Sequence, residues 1–242
     1  MSNVQPSPAL ARQPRRSGAL AAMAKTFFAA AALGAILFWL ADSVTWVWGW
    51  AFLVIAEAAS LIHTAWLLRH DPGLLVTRSS RGYLEPGTPR WDRIISLLGA
   101  SLLPAASWFI SALDERFRWA PEVPDAVHLL GGAGLILGWA VWLWAMFSNH
   151  FFASTVRLQD GHTVETGGPY RWLRHPGYVG LMTYQVATPL LLGSWLGLAP
   201  ALLTVPLIVL RTALEDQWLG EHLPGYREYA ARVRHRLLPG IW

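Results

Sequence analysis

Long apolar runs alternate with short polar breaks along most of this chain. About 20 apolar residues in a helix span the hydrocarbon core of a bilayer, and several runs approach that length. The pattern predicts helices at about 25–41, 44–68, 94–113, 127–147 and 178–192. A sixth runs from about Leu196 to beyond Arg211, after a turn at Gly193-Ser194. Pro72-Gly73, Pro86-Gly87 and residues 121–124 mark loops. The predicted fold is all-α: a polytopic transmembrane helical bundle of about six spans (five to six) with a C-terminal amphipathic helix. Residues 1–24 contain Pro, Ser and Arg and read as a disordered tail. Residues 25–150 carry the first four helices, and residues 151–242 hold a polar loop, the last two helices and a C-terminal segment. In that segment, residues 227–238 place Tyr229, Val233 and Leu237 on one face and Arg232 and Arg236 on another. This predicts an interfacial helix lying on anionic headgroups.

Composition supports the membrane reading. The chain is 54% hydrophobic and only 14% charged, where a soluble domain carries about 25% charged residues. There is no Cys, which excludes a disulfide framework, a Cys-based zinc site and a thiol nucleophile. The net charge of +4 raises the question of nucleic acid, and the positions of the charges answer it. With six spans drawn, all but two of the 19 Lys and Arg fall on one side. The exceptions, Arg116 and Arg118, lie beside Asp114, Glu115, Glu122 and Asp125. The positive-inside rule then places both termini and the central polar loop in the cytoplasm, at a bacterial inner membrane. The charge orients helices, and no nucleic-acid partner is implied. Trp46, Trp48, Trp91 and Trp119 fit an interfacial belt. Arg15-Arg16 before an Ala-rich run resembles a secretion signal. The run continues through Phe38 and Trp39 without a small-residue cleavage site, so an uncleaved first helix is expected.

The stretch from Gly161 to Gly180 is polar, cationic and rich in turn formers. Pro169 and Pro176 fix φ and bias the residues before them to extended conformations. A rigid, non-helical lead into the fifth helix follows, tolerated at a membrane only where protein or a cavity surrounds it. The loop concentrates His162, Tyr170, Arg171, Arg174, His175 and Tyr178. Arg174 and His175 suit an anionic group. Glu215 returns to the same side at the end of the last helix. It is placed to accept hydrogen bonds from hydroxyls, to stabilise a cation, or to form a structural ion pair with Arg174. Elsewhere, Glu57 and His63 stand six apart within the second helix, off any single face. Glu57 either lines a polar cavity or bonds a neighbouring helix. His128 and His150 sit at span ends, where snorkelling explains them. Gly134-Leu-Ile-Leu-Gly138 is a small-residue face suited to helix packing. No His-Glu-x-x-His pattern is present and the eight His are scattered, so no metal site is expected. No Gly-x-Ser-x-Gly elbow occurs either.

Gly168-Pro-Tyr-Arg-Trp-Leu-Arg-His-Pro-Gly-Tyr-Val-Gly180 resembles the signature of the isoprenylcysteine carboxyl methyltransferase and phospholipid methyltransferase superfamily. Arg211-Thr-Ala-Leu-Glu-Asp216, Pro224-Gly-Tyr-Arg-Glu-Tyr229 and Arg232-Val-Arg-His-Arg-Leu-Leu-Pro239 follow in the family's order. The resemblance covers roughly the last 95 residues; it is specific for the superfamily and unspecific for the substrate. It implies a membrane-embedded, S-adenosylmethionine-dependent methyltransferase acting on a lipid-like or small hydrophobic acceptor. By position it implies cofactor binding by His162, Gly168, Pro169, Tyr170, Arg174, His175, Pro176, Tyr178, Glu215 and Asp216. Glu215 and Arg174 are the implied catalytic residues. Asp216 stands where the family's acidic pair commonly has a second Glu. Glu165 stands where a small apolar residue is common. Two other readings stay open. Sterol reductases share a similar Arg-His-Pro-x-Tyr-x-Gly turn but use NADPH. They usually carry Asn and Asp where this chain has Gly177 and Leu181. A non-catalytic scaffold would tolerate replacement of Arg174, His175 and Glu215.

Overall fold

The computed structural model describes residues 16–70 and 87–242. The expected disordered tail up to residue 15 and the loop at Pro72-Gly73 lie outside the described residues. Helix α1 spans Arg16–Ala41 and α2 spans Val47–His70. Helix α3, Arg90–Leu97, passes through one widened π turn at Leu98–Leu102 into α4, Leu103–Phe117. The widened turn immediately precedes Pro104, which lacks the N–H that would continue an α-helical ladder. Helix α5 is Asp125–Phe147, α6 is Pro176–Leu192, α7 is Leu198–His222 and α8 is Tyr226–Arg232.

The fold is all-helical, with no strand among the described residues. Five stretches among them are long and apolar enough to cross a membrane: Met23–Ala41, Val47–His70, Arg90–Phe117, Asp125–Phe147 and Leu198–His222. Helix α6, with 17 residues, is at the short end for a span. It runs back alongside α5 between the same two ends of the bundle. The outer surface is apolar in the manner of a lipid-facing one: on α5, Leu130 is 69% exposed while Leu135 is fully buried.

The closest packing is between α5 and α6, and glycine makes it possible. A Cβ on Gly138 would sit 2.5 Å from the backbone nitrogen of Tyr184. One on Gly180 would sit 2.6 Å from the Gly138 carbonyl and the Trp142 nitrogen. Gly131 meets the backbone of Leu191 in the same way. Gly134 faces Ala187, so the small-residue face read from the sequence is a helix interface. Gly193, at φ +83°, ends α6 in the left-handed conformation and turns the chain, as Gly193-Ser194 predicts.

Three expectations are corrected. Helix α1 begins at Arg16, inside the segment that composition assigns to a disordered tail. The Ala-rich residues before the span are strong helix formers and extend it backwards. His128 does not snorkel; it is buried, stacks on Trp48 with ring centroids 4.3 Å apart, and its Nδ1 lies 2.8 Å from the Leu191 carbonyl. Capture of the α6 C-terminus competes successfully with hydration of the ring. The amphipathic C-terminal helix stops at Arg232 instead of continuing to residue 238. Beyond it, residues 233–242 form a strap that closes on itself at Trp242 and is folded back onto the polar loop, where the His235 and Arg236 carbonyls accept loop amides.

The glycine interface yields a direct test. Gly138→Ala or Gly180→Ala forces α5 and α6 apart and is expected to cost ~1–3 kcal/mol, as overpacking does. Gly132→Ala, whose Cβ would make an ordinary 3.5 Å contact with Leu191, is expected to be neutral. Thermal unfolding in detergent separates the two groups.

Candidate active-site cavity

Between α5 and α6 the chain leaves helix for residues 148–175 and must find partners for its backbone. Asn149 Oδ1 accepts from the Phe151 amide at 2.8 Å, and Gln159 Nε2 donates to the Phe151 carbonyl at 2.7 Å. Glu165 Oε1 accepts from the amides of Thr166 and Gly167 at 2.9 and 2.7 Å, so it caps the turn before Gly168. That contact explains a carboxylate at this position. Gly168 has φ +50° and lies against the Ser148 hydroxyl, where any side chain would collide. Residues Gly168–Arg171 then make one 3₁₀ turn. Tyr229 donates its hydroxyl to the Tyr170 carbonyl at 2.8 Å. The amides of Arg174 and His175 donate to the carbonyls of His235 and Arg236 in the strap, both at 3.0 Å. Pro176 occupies the first turn of α6, where a missing N–H costs nothing.

The two carboxylates near the end of α7 diverge. Consecutive residues on an α-helix point about 100° apart. Glu215 faces a cavity and accepts a hydrogen bond from the Tyr178 hydroxyl. Asp216 turns away and is bound by Arg174 Nη1 at 3.2 Å, Arg236 Nε at 2.9 Å, the Tyr226 hydroxyl at 2.8 Å and His175 Nε2 at 3.3 Å. The ion-pair alternative for Arg174 is therefore realised with Asp216 and not with Glu215. One turn earlier, Arg211 is buried against Asp92 of α3, with Nε to Oδ1 at 2.8 Å. It also donates to the Ser154 carbonyl at 2.8 Å, and its guanidinium lies 5.1 Å from the centre of the Tyr178 ring. The second Asp92 oxygen accepts from the Val156 amide at 2.8 Å.

Six of the expected site residues line this one cavity: His162, Tyr170, Arg174, His175, Tyr178 and Glu215. Gly168, Pro169, Pro176 and Asp216 are not on its wall; they shape or brace the backbone behind it. Sequence reasoning missed Phe151, Phe152, Arg157 and Tyr226 on the wall and Asp92 beneath it. Asp92 had a signal in retrospect: a lone acid in Arg90-Trp-Asp-Arg93, at the head of a span. Glu57 and His63 lie outside the cavity.

The His162 ring stacks on Phe151 with centroids 4.5 Å apart. Its Nδ1 is buried without a hydrogen-bond partner among the described residues, as is Arg174 Nε. Burial lowers the His162 pKa, so the ring is neutral at pH 7. Burial raises the phenols of Tyr170, Tyr226 and Tyr229 above the ordinary tyrosine range, so each remains a hydroxyl donor. The wall thus combines aromatic faces, the Glu215 carboxylate held by a neutral phenol, the Glu165 carboxylate bound to its own turn, and two polar nitrogens without partners.

Residues 129–221 match the isoprenylcysteine carboxyl methyltransferase (ICMT) family. Two curated relatives are similar over 95 residues, covering 36% of this chain and 32% of each relative. They are the Protein-S-isoprenylcysteine O-methyltransferases of Rattus norvegicus, 35% identical, and Mus musculus, 34% identical. The alignment with each spans about a third of that relative's length. The family match contains every cavity residue from His162 to Glu215 and stops before Tyr226 and the strap. Through residues 129–221, this chain is similar to the isoprenylcysteine carboxyl methyltransferase family, in agreement with the resemblance carried by its loop motif.

Proposed function

We propose that the protein is an integral membrane methyltransferase that binds S-adenosylmethionine in this cavity and methylates a lipid-like or small hydrophobic acceptor. The observation that carries the reading is the convergence of His162, Arg174, Tyr178 and Glu215 on one cavity inside the stretch that matches the family. The charge distribution of the site agrees with its basic side facing the cytoplasm, where a soluble cofactor arrives. The acceptor then comes from the bilayer.

The residues present suit such a cofactor. Phe151, Phe152 and Tyr170 offer faces for a planar base and for a sulfonium. Glu215 accepts from the neutral phenol of Tyr178, so its negative charge is left to balance a positive ligand group or to accept from ribose hydroxyls. The unpartnered Arg174 Nε–H and His162 Nδ1 are polar atoms that a bound ligand would satisfy. Bound S-adenosylmethionine supplies a methyl group on a positively charged sulfur, ready for in-line displacement without a metal. The chain's contribution is alignment, worth up to ~7–11 kcal/mol in favourable cases. A carboxylate acceptor is already ionised at pH 7 and needs no base. An amine or thiol acceptor must lose a proton, and Glu215 is the carboxylate placed to take it.

Titration calorimetry of the detergent-purified full chain with S-adenosylhomocysteine tests the reading. Wild type is expected to bind in the micromolar range. Glu215→Gln and His162→Phe, the latter keeping a ring on Phe151, are each expected to weaken binding about tenfold or more, ~1.4 kcal/mol per decade. Binding of NADPH with no binding of S-adenosylhomocysteine would replace this reading with the reductase.

The same titration repeated across pH reports on His162. Because burial lowers its pKa, affinity is expected to stay flat through neutrality. It should fall only on acidification below the ordinary imidazole range of ~6.5, as the ring protonates. In His162→Phe that acid limb should disappear.

A further inference from the structure

We infer that Asp216 is a positioning residue: without lining the cavity itself, it locks the C-terminal strap, residues 233–242, onto Arg174 and His175 at the cavity wall. What that wall binds rests on the methyltransferase reading; the locking arrangement does not.

The carboxylate is buried and fully used. Its Oδ1 receives the Tyr226 hydroxyl at 2.8 Å and His175 Nε2 at 3.3 Å. Its Oδ2 receives Arg236 Nε at 2.9 Å and Arg174 Nη1 at 3.2 Å. Two carboxylate oxygens offer about four acceptor sites, so nothing remains for a ligand. Three of the four donors come from cavity-lining residues, Arg174, His175 and Tyr226, while Asp216 itself is absent from the wall. The fourth donor, Arg236, belongs to the strap, beyond the stretch that matches the family.

The strap is fastened at that residue. Arg236 donates its amide to the Trp242 carbonyl at 2.9 Å, and its guanidinium lies 4.8 Å from the centre of the Trp242 ring. Its own carbonyl accepts the His175 amide at 3.0 Å, the neighbouring His235 carbonyl accepts the Arg174 amide at 3.0 Å, and Leu237 is buried. One anion therefore holds two guanidinium groups that would otherwise repel, one on the wall and one on the strap. Replacing the charge with an isosteric amide leaves two cations facing a neutral group that carries donors of its own. Arg174 then loses its anchor and the strap loses its clasp together. Glu215, one residue earlier, has no part in this clasp; the acidic pair divides into one carboxylate for the ligand and one for the frame.

Hydrogen exchange on the ligand-free full chain in detergent tests the arrangement. Asp216→Asn and Arg236→Gln are each expected to speed exchange in peptides covering 172–177 and 233–242 by about tenfold or more, while α5 and α6 stay protected. Asp216→Glu should retain most of the protection, and Glu215→Gln all of it. With S-adenosylhomocysteine, Asp216→Asn should weaken binding about tenfold, and adding Arg236→Gln should weaken it little further, since both act through one clasp. Unchanged exchange in both segments of Asp216→Asn overturns the inference. So do fully additive losses of affinity, and so does equal loss of protection throughout α5 and α6, which would mark a merely structural role. If wild type binds no S-adenosylhomocysteine but exchange changes as expected, the clasp stands and the methyltransferase reading falls.

Discussion

Backbone that is not helical at the edge of a membrane must be satisfied by protein, because each unpaired group there costs several kcal/mol. Residues 148–175 are such a stretch, and much of the molecule beyond the helices is arranged to meet their needs. Local side chains close the two turns: Asn149 on Phe151, Glu165 on Thr166 and Gly167. Distant ones close the rest. Asp92, from the start of α3, takes the Val156 amide; Arg211 of α7 takes the Ser154 carbonyl; Tyr229 of α8 takes the Tyr170 carbonyl. The strap takes the amides of Arg174 and His175. Four separate elements are thereby drawn to one end of the bundle, and the cavity is the space they leave between them.

The glycine contact between α5 and α6 decides where that loop begins and ends. With no Cβ on Gly138 or Gly180, the two backbones approach closely enough for Trp139 of α5 to stack on Tyr184 of α6 across the seam. The same closeness continues to Gly177, where a Cβ would lie 2.7 Å from the Phe152 ring. Phe152 is therefore pressed against the first turn of α6, beside Tyr178. An apolar packing rule thus sets the position of an aromatic wall residue relative to a polar one.

How far the sequence discloses this depends on the range of the interaction. Helices α2 to α7 follow from apolar runs, which act locally. The loop followed from Pro169, Pro176 and the glycines, whose backbone limits are also local. What pattern could not reach was pairing across long separations. Asp92 and Arg211 are 119 positions apart, and nothing about either residue alone names the other. The strap was misread for the same reason. Tyr229, Val233 and Leu237 do recur at helical spacing, but Leu237 is buried by the fold-back and Arg236 is held by its pairing with Asp216, neither of which periodicity can see.

The acidic pair is a middle case, legible in principle. Adjacent side chains on a helix cannot share one environment, so two consecutive carboxylates at a cavity edge must divide between inside and outside. Which one faces in depends on where cations lie. Asp216 points to Arg174 and Arg236, and its charge is consumed by them. Glu215 points to Tyr178, which is braced by Arg211 and, through it, by Asp92. Two cations near Glu215 are thus paired with other carboxylates, Arg174 with Asp216 and Arg211 with Asp92. A carboxylate whose direct partner is a neutral hydroxyl keeps its field for whatever enters the cavity. The two saturated ion pairs on either side are what leave it in that condition.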